Sequence, residues 1–322
     1  MRDGQELNEE CDVPFVDISL SEQIRAVALR AWGVRLNGDV IRLYGGEESA
    51  AHHVKDTCGT GPEGGVVVRI GPEWRRSDEA EWCHAVALRA AAGGLREAVV
   101  PLRTRDGRTV ARAEGRPVSL WPYVAGRWAH QQDPAQSEQA ARLLARLHRA
   151  LAEARVPPRP VSADLTVGLS GDVRYDHPDL RDAELDEWLA GFAKRADRVH
   201  ALHGDYYHGN LLADGHGRLV AVLDWDEALI APPEVELAGA ALEFTGEFAA
   251  DLAACRGFVD AYLDEGGTVE ALDDTTMVQL MRHRLRREAA HYLRASARGE
   301  AFDDEDHVYH AGRMAAFAAL RP

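Results

Sequence analysis

Three residues of this 322-residue chain, Asp205, Asn210 and Asp224, have the types and spacing that chemistry needs. Asp205 and Asn210 share the run His203-Gly204-Asp205-Tyr206-Tyr207-His208-Gly209-Asn210, and Asp224 opens Asp224-Trp225-Asp226. Between the two runs, apolar Leu211, Leu212 and Ala213 lead into a polar turn, Asp214-Gly215-His216-Gly217, and an apolar stretch at 219–223 follows. That pattern spells a β-hairpin. An antiparallel hairpin returns to where it began, so Asn210 at its entry and Asp224 at its exit can face one metal ion. Phosphoryl transfer asks a protein for positioning and charge neutralisation. Asp205 suits the acceptor hydroxyl, which it can orient and whose proton it can take. Asn210 and Asp224 offer oxygen ligands to Mg²⁺, a hard ion that keeps few protein ligands. Any one of these acids alone reads as a turn former or a helix cap; the order of all three, with a hairpin between, does not. His203 reads as a buried histidine bracing the loop. His208 either shapes the loop or plays no special part.

The order His-x-Asp-x-x-x-x-Asn followed by a metal-binding Asp is a kinase pattern. Residues His203 to Asn210 with Asp224-Trp225-Asp226 resemble the signature of the aminoglycoside phosphotransferase family, which includes relatives of choline kinase, homoserine kinase and methylthioribose kinase. Gly204 stands where protein kinases have Arg. The resemblance is specific in this loop, and the order of elements agrees with it from about Ile24 onward. It implies an α+β, two-lobed, protein-kinase-like fold. Residues 1–120 would form a small nucleotide-binding lobe with an antiparallel sheet, 121–126 a hinge, and 127–322 a larger, mostly helical catalytic and acceptor-binding lobe. It also implies ATP, with GTP as the other nucleotide, and Mg²⁺ between the lobes. The reaction implied is transfer of the γ-phosphate to a hydroxyl of a small molecule. An aminoglycoside-like or other cationic antibiotic is the leading acceptor. A metabolic kinase of an amino alcohol or sugar is the alternative, and an inactive nucleotide-binding module is a third reading. Family members usually carry Asp before the Leu-Ala that follows the metal hairpin; here it is Glu236.

The flanking segments must position these residues. Ile24, Val27, Ala28 and Ala31 mark a helix over 20–32. Strands follow at 40–43 and 50–54, and the segment 44–49 between them, ending at Ser49, stands where a kinase-like lobe would cover the nucleotide phosphates. An ordinary hairpin turn explains it equally well, since no G-x-G-x-x-G is present. Residues 66–70 form a β-branched strand. Arg69 falls where protein kinases place the lysine that holds the α- and β-phosphates, although a surface arginine fits the same position. A helix follows with Ser77 as its N-cap, and Glu81 is expected to pair with Arg69. Glu79 competes for that role, but an acid in the first turn is explained by the helix dipole alone. A hairpin at 98–102 and 109–113 should turn at Asp106-Gly107. In the hinge Pro122 has no N–H, so Tyr123 and Val124 are left to donate to a purine edge. His148 lies beside the apolar stripe Ala140, Leu143, Leu144, Leu147 and Leu151 and reads as structural. Residues 156–183 read as a long loop, and helices are expected at 185–196, 252–263, 276–297 and 307–320.

Composition narrows the partners. A net charge of −16 disfavours nucleic acid, whose phosphates would be repelled. No run approaches the ~20 apolar residues of a membrane span, and no signal-peptide core opens the chain. Cys11, Cys58, Cys83 and Cys255 are scattered without a C-x-x-C pair, which fits a reducing cytoplasm and argues against a zinc site. The acids Asp176, Asp179, Asp182, Glu184, Glu187, Glu243 and Glu247 would draw ammonium groups to an acceptor pocket.

Overall fold

The computed structural model describes residues 18–43, 49–160, 177–246, 251–297, 302 and 304–322. The expected phosphate-covering segment 44–48 and most of the long loop, 161–176, lie outside the described residues.

The N-terminal part is built on one antiparallel sheet. β1 (Asn37–Leu43), β2 (Ala50–Asp56), β3 (Val66–Ile70), β4 (Ala111–Ala113) and β5 (Arg116–Pro122) lie in the order β1-β2-β3-β5-β4. The two-residue period of a strand decides the chemistry here. Val66, Val68 and Ile70 of β3 are fully buried against α1 (Glu22–Ala31), whose Ile24, Val27 and Ala28 complete that core. Arg69 therefore points to the opposite face. The first turn of α1 is capped by Ser21, whose hydroxyl accepts from the Ile24 N–H.

α2 (Ser77–Ala92) follows β3 in sequence but buries Trp82, Cys83, Val86, Ala87 and Ala90 in the main core. That core is centred on α3 (Pro134–Ala152), whose stripe of Ala140, Leu143, Leu144, Leu147 and Leu151 is fully buried. Around it stand β6 (Arg127–Trp128), α4 (Ala183–Arg195), β7 (His200–Leu202), β8 (Leu211–Ala213), β9 (Leu219–Val222), β10 (Leu229–Ala231), α5 (Pro233–Glu243), α6 (Leu252–Asp264), α7 (Asp274–Ala297) and α8 (Asp304–Ala319). β8 and β9 are the expected hairpin, extended to three strands by β6, and β10 pairs with β7. Backbone hydrogen bonds from Val222 N to Glu97 O (2.7 Å) and from Val99 N to Val222 O (3.1 Å) fasten the hairpin to the segment after α2. The mixed α+β, kinase-like architecture is the one expected.

Two local expectations are corrected. Ser77 is the first helical residue of α2 and Arg76 occupies the cap, with no side-chain cap bond. The paired hairpin turns at Glu114-Gly115, not at Asp106-Gly107. Both Glu114 (φ 52°) and Gly115 (φ 75°) are left-handed, the geometry whose twist matches antiparallel strands. Asp106-Gly107 does turn the chain, with Gly107 N bonded to Thr104 O, but residues 98–102 form no strand there: Val99 N bonds to Val222 O of β9 and Leu102 N to Leu120 O of β5.

Gly65 sets the approach of β2 to the segment leading into β3. Its φ is +91°, and a Cβ there would lie 2.3 Å from Val54 O. Gly65→Ala is expected to destabilise the fold by at least ~2 kcal/mol, from the left-handed backbone and the clash together; chemical denaturation measures it, and an unchanged midpoint would contradict this packing.

Candidate active site

The turn after β7 is shaped by one glycine and one buried carboxylate. Gly204 has φ +89°, and a Cβ on it would fall 1.9 Å from Glu227 O, so no side chain fits. Glu236, on α5, accepts from the backbone N–H groups of both His203 (3.3 Å) and Gly204. His148 of α3 donates to the same carboxylate through Nε2 (2.8 Å) and meets the Tyr262 hydroxyl through Nδ1 (2.7 Å). Burial alone would raise the pKa of Glu236, but the His148 hydrogen bond and charge, His203 and the Gly204 N–H bring it below the ordinary value. Glutamate in place of aspartate thus still supports the loop. His203 is fully buried; its Nε2 donates to Leu223 O (2.7 Å), leaving Nδ1 to accept from Asp205 N (3.3 Å). Both histidines are structural, as their positions suggested.

The loop so held presents Asp205. Asn210 donates its amide N–H groups to Asp205 O (2.8 Å) and Asp205 Oδ2 (3.0 Å). Its amide oxygen is thereby left to act as a ligand. Leu223 N bonds to Asn210 O (2.8 Å), so the exit of the hairpin lies against its entry and Asp224 comes to the same place. Asp224 has a left-handed backbone (φ 51°), tolerated by Asp better than by most residues. These oxygen donors fit Mg²⁺, which binds through one or two protein groups and completes its shell with phosphate and water.

Arg69 crosses to this loop from β3. Its guanidinium holds Asp224 by two bonds (3.1 and 3.2 Å) and Asp226 by a third (3.1 Å). Arg75, almost fully buried, approaches Asp226 Oδ2 at 3.3 Å. Burial pushes the Asp226 carboxyl up, but Arg69, Arg75, His84 and Arg159 hold it down at about 2. Ser49 lines a cavity beside the bridge, together with Arg69, Arg75, His84, Ser119 and Asp226. Burial brings His84 down to about 3, so its ring is neutral at physiological pH. In the hinge, Tyr123 stacks on His53 (3.7 Å between centroids) and gives its N–H to Gly65 O (3.2 Å). Of the two expected donors, Val124 is the one whose N–H is not so used.

The expected Glu81–Arg69 pair is not formed. Glu81 pairs with Arg108 (2.8 Å) at the partly exposed edge of α2. At 100° per residue, Glu79 and Glu81 cannot both face inward, and it is Glu79 that is fully buried. Its partner is Arg159 (2.8 Å), which also donates to the carbonyls of Asp226 and Ala228. Neither candidate acid of α2 holds Arg69; Asp224 and Asp226 do.

Sequence reasoning passed over four arginines. Arg75 and Arg159 sit in loops whose composition carries no signal. Arg284 on α7 donates to Asp205 Oδ1 (2.8 Å) and also meets Glu288 (2.5 Å) and Glu243 (3.4 Å). Arg313 of α8 ties the same two glutamates together. Burial pushes Glu288 up to about 7, and the neighbouring Glu243 charge adds to this against the pull of Arg284 and Arg313. Arg282, His283 and Arg286 are buried on the same helix as Arg284.

Residues 45–274 match the model of the phosphotransferase enzyme family. A homoserine kinase of Pseudomonas aeruginosa strain LESB58 is 32% identical over 134 residues, 39% of this chain and 42% of that protein. The match therefore spans less than half the length of that curated relative. Among solved structures, a spectinomycin phosphotransferase in complex with ADP and spectinomycin superposes at a TM-score of 0.62 and 15% identity, over 94% of this chain and 98% of that one. An amicoumacin kinase in complex with AMP-PNP and Ca²⁺ gives 0.70 and 14%, over 93% and 94%. A microcompartment-associated aminopropanol kinase gives 0.65 and 17%, over 92% and 96%. At these identities the likeness establishes a shared fold.

Glu236→Gln replaces one acceptor oxygen by an NH₂ facing the loop's own N–H groups. It is expected to cost on the order of 3 kcal/mol and to lower the denaturation midpoint. Because the folded pKa of Glu236 is depressed, its contribution is complete above the ordinary glutamate value and lost as pH falls through the folded one. The gap between wild type and variant should be widest near neutral pH and close in acid; a constant gap would refute the assignment.

Proposed function

The chain belongs to the phosphotransferase enzyme family, and from that premise we propose that it transfers the γ-phosphoryl group of ATP to a hydroxyl of a small molecule. The observation that carries this reading is the convergence of Asp205, Asn210 and Asp224 at the ends of one hairpin, with Arg69 reaching them from the opposite sheet. Asp205 orients the acceptor hydroxyl and takes its proton. The acceptor oxygen forms a bond to the γ-phosphorus while the bond from that phosphorus to the β–γ bridging oxygen breaks, and ADP leaves. Mg²⁺ held by Asn210 and Asp224 would neutralise charge on the phosphates. Asn210 fixes Asp205 by its amide and so links acceptor side to metal side. Arg69, with Ser49 beside it, faces the phosphates, and Val124 offers its N–H to the purine. The solved relatives with ADP or with AMP-PNP and Ca²⁺ support use of a nucleotide with a divalent ion.

Two acceptor classes have support. Full-length likeness to the spectinomycin and amicoumacin enzymes favours an antibiotic. The homoserine kinase match and the aminopropanol kinase favour a small metabolic alcohol. Of the acids on which a cationic acceptor rested, Asp182 is paired with Arg282, and Glu243 with Arg284 and Arg313. Glu184 and Glu187 are exposed on α4, and Asp176 and Glu247 lie outside the described residues. Among the described residues no helix is long and apolar enough to cross a membrane, and Cys58, Cys83 and Cys255 are free thiols, which supports a cytoplasmic setting.

In an ADP-release assay with Mg·ATP or Mg·GTP, acceptors from both classes should be separated by kcat/KM. Asp205→Asn should retain nucleotide binding and lose turnover by ~10²–10⁴-fold, while EDTA should abolish turnover and Mg²⁺ restore it. A folded Asp205→Asn protein with normal kcat, or full activity without divalent ions, would sink the reading.

A further inference from the structure

A second cavity lies behind the catalytic turn, between α5, α7 and the β7–β10 ribbon. Its polar lining consists of the Gly204 backbone, Glu236, His283, Arg284 and Arg287, and the rest is largely apolar. Gly204 precedes Asp205, and Arg284 reaches from the cavity wall to Asp205 Oδ1 at 2.8 Å. The cavity is thus one guanidinium away from the residue that meets the acceptor.

His283 is only 3% exposed, and its Nδ1 has no hydrogen-bond partner among the described residues. A buried polar atom of this kind calls for a ligand or a water. Burial, with the nearby charges of Arg287, Arg286 and Arg284, keeps the pKa of His283 well below its ordinary value, so the ring is neutral. It can then offer one N–H beside two guanidinium groups. The acid in the lining is already committed: Glu236 accepts from His148, His203 and Gly204. Glu227 is the other acid nearby, close enough to Arg287 and Asp205 to feel both, and burial pushes its carboxyl up. A cation entering here would meet Arg284 and Arg287. An anion would meet the His283 N–H and two guanidinium groups, of which Arg284 is shared with Asp205, Glu243 and Glu288.

We propose that this cavity is the subsite for a carboxylate of the acceptor, held by His283, Arg284 and Arg287. The substrate class is a short hydroxy acid or hydroxy amino acid whose hydroxyl lies a few bonds from its carboxylate. The proposal rests on the phosphotransferase reading for the role of the site, but not for its ligand. Arg284 couples the two ends: its guanidinium touches Asp205 on one side and lines the carboxylate subsite on the other.

The test has a binding arm and a turnover arm. Butanoate, which has no hydroxyl to phosphorylate, is titrated by saturation-transfer NMR against butylamine. Butanoate should bind in preference. His283→Leu and Arg287→Gln should each weaken it about tenfold or more, whereas His283→Gln, which keeps an N–H, should retain it. Denaturation midpoints confirm that each variant is folded. Equal binding of the two probes, or unchanged butanoate binding in the folded variants, overturns the subsite. In turnover, homoserine and hydroxybutanoate should exceed aminopropanol in kcat/KM, and Arg287→Gln should raise KM for the first two while leaving KM for ATP unchanged. Aminopropanol turned over as well as homoserine also overturns it. Failure of every acceptor, antibiotics included, overturns the phosphotransferase reading instead, and the butanoate titration still decides the subsite.

Discussion

The Arg69 guanidinium between Asp224 and Asp226 is the contact on which the rest of the site depends. It is the place where the N-terminal sheet and the catalytic hairpin meet through charge, with bonds of 3.1 to 3.2 Å to three carboxylate oxygens. Withdrawing charges from water is costly unless each finds a partner. Burial would lower the pKa of Arg69, yet the two aspartates raise it, so the pairing outweighs the burial. The same contact sets a constraint on function. In the proposed reaction Asp224 would serve both the cation of the protein and that of a metal–nucleotide complex, and its bonds to Arg69 already join the sheet to the hairpin.

Behind this bridge the molecule repeats one solution to buried charge. Glu79 is covered by Arg159, Asp226 by Arg69 and Arg75, Glu243 by Arg284 and Arg313. Each pair joins elements far apart in sequence. Removing one partner of such a pair leaves an uncompensated charge, which costs much more than the pair itself contributes. The arginines therefore act as ties that fix geometry around Asp205. The large negative net charge of the chain does not describe this interior, where acids and arginines are closely balanced.

The loop is fixed by backbone chemistry as much as by charge. Two successive N–H groups of the turn, at His203 and Gly204, converge on Glu236. That arrangement needs a residue without Cβ at 204, because Glu227 O occupies the space. His148 then hydrogen-bonds and orients the carboxylate from α3. A helix of the main core, a helix following the metal hairpin and the catalytic turn are joined at one acid.

Much of this was legible in the chain alone. The hairpin between Asn210 and Asp224 could be read because turn residues and alternating apolar runs act locally, and the order His-x-Asp-x-x-x-x-Asn compresses a site into eight residues. The β-branched run at 66–70 marked the strand that carries Arg69, and the 3.6-residue stripe of α3 marked the core. Tertiary structure decided what Arg69 and the glutamates of α2 would meet. The resemblance called for an inward acid on this helix and spacing chose Glu81, but it is Glu79 that is buried, and its partner, Arg159, lies 80 residues away. The acids offered for a cationic acceptor could be counted from the chain, but the pairing of Asp182 and Glu243 could not be read there, because their arginines lie about 100 and 41 to 70 residues along the chain. Local sequence determines periodicity, turns and the inventory of charged groups. Which charges cancel is settled only when distant segments pack, since the energy of a buried ion depends on its neighbours in space and not on its neighbours in sequence.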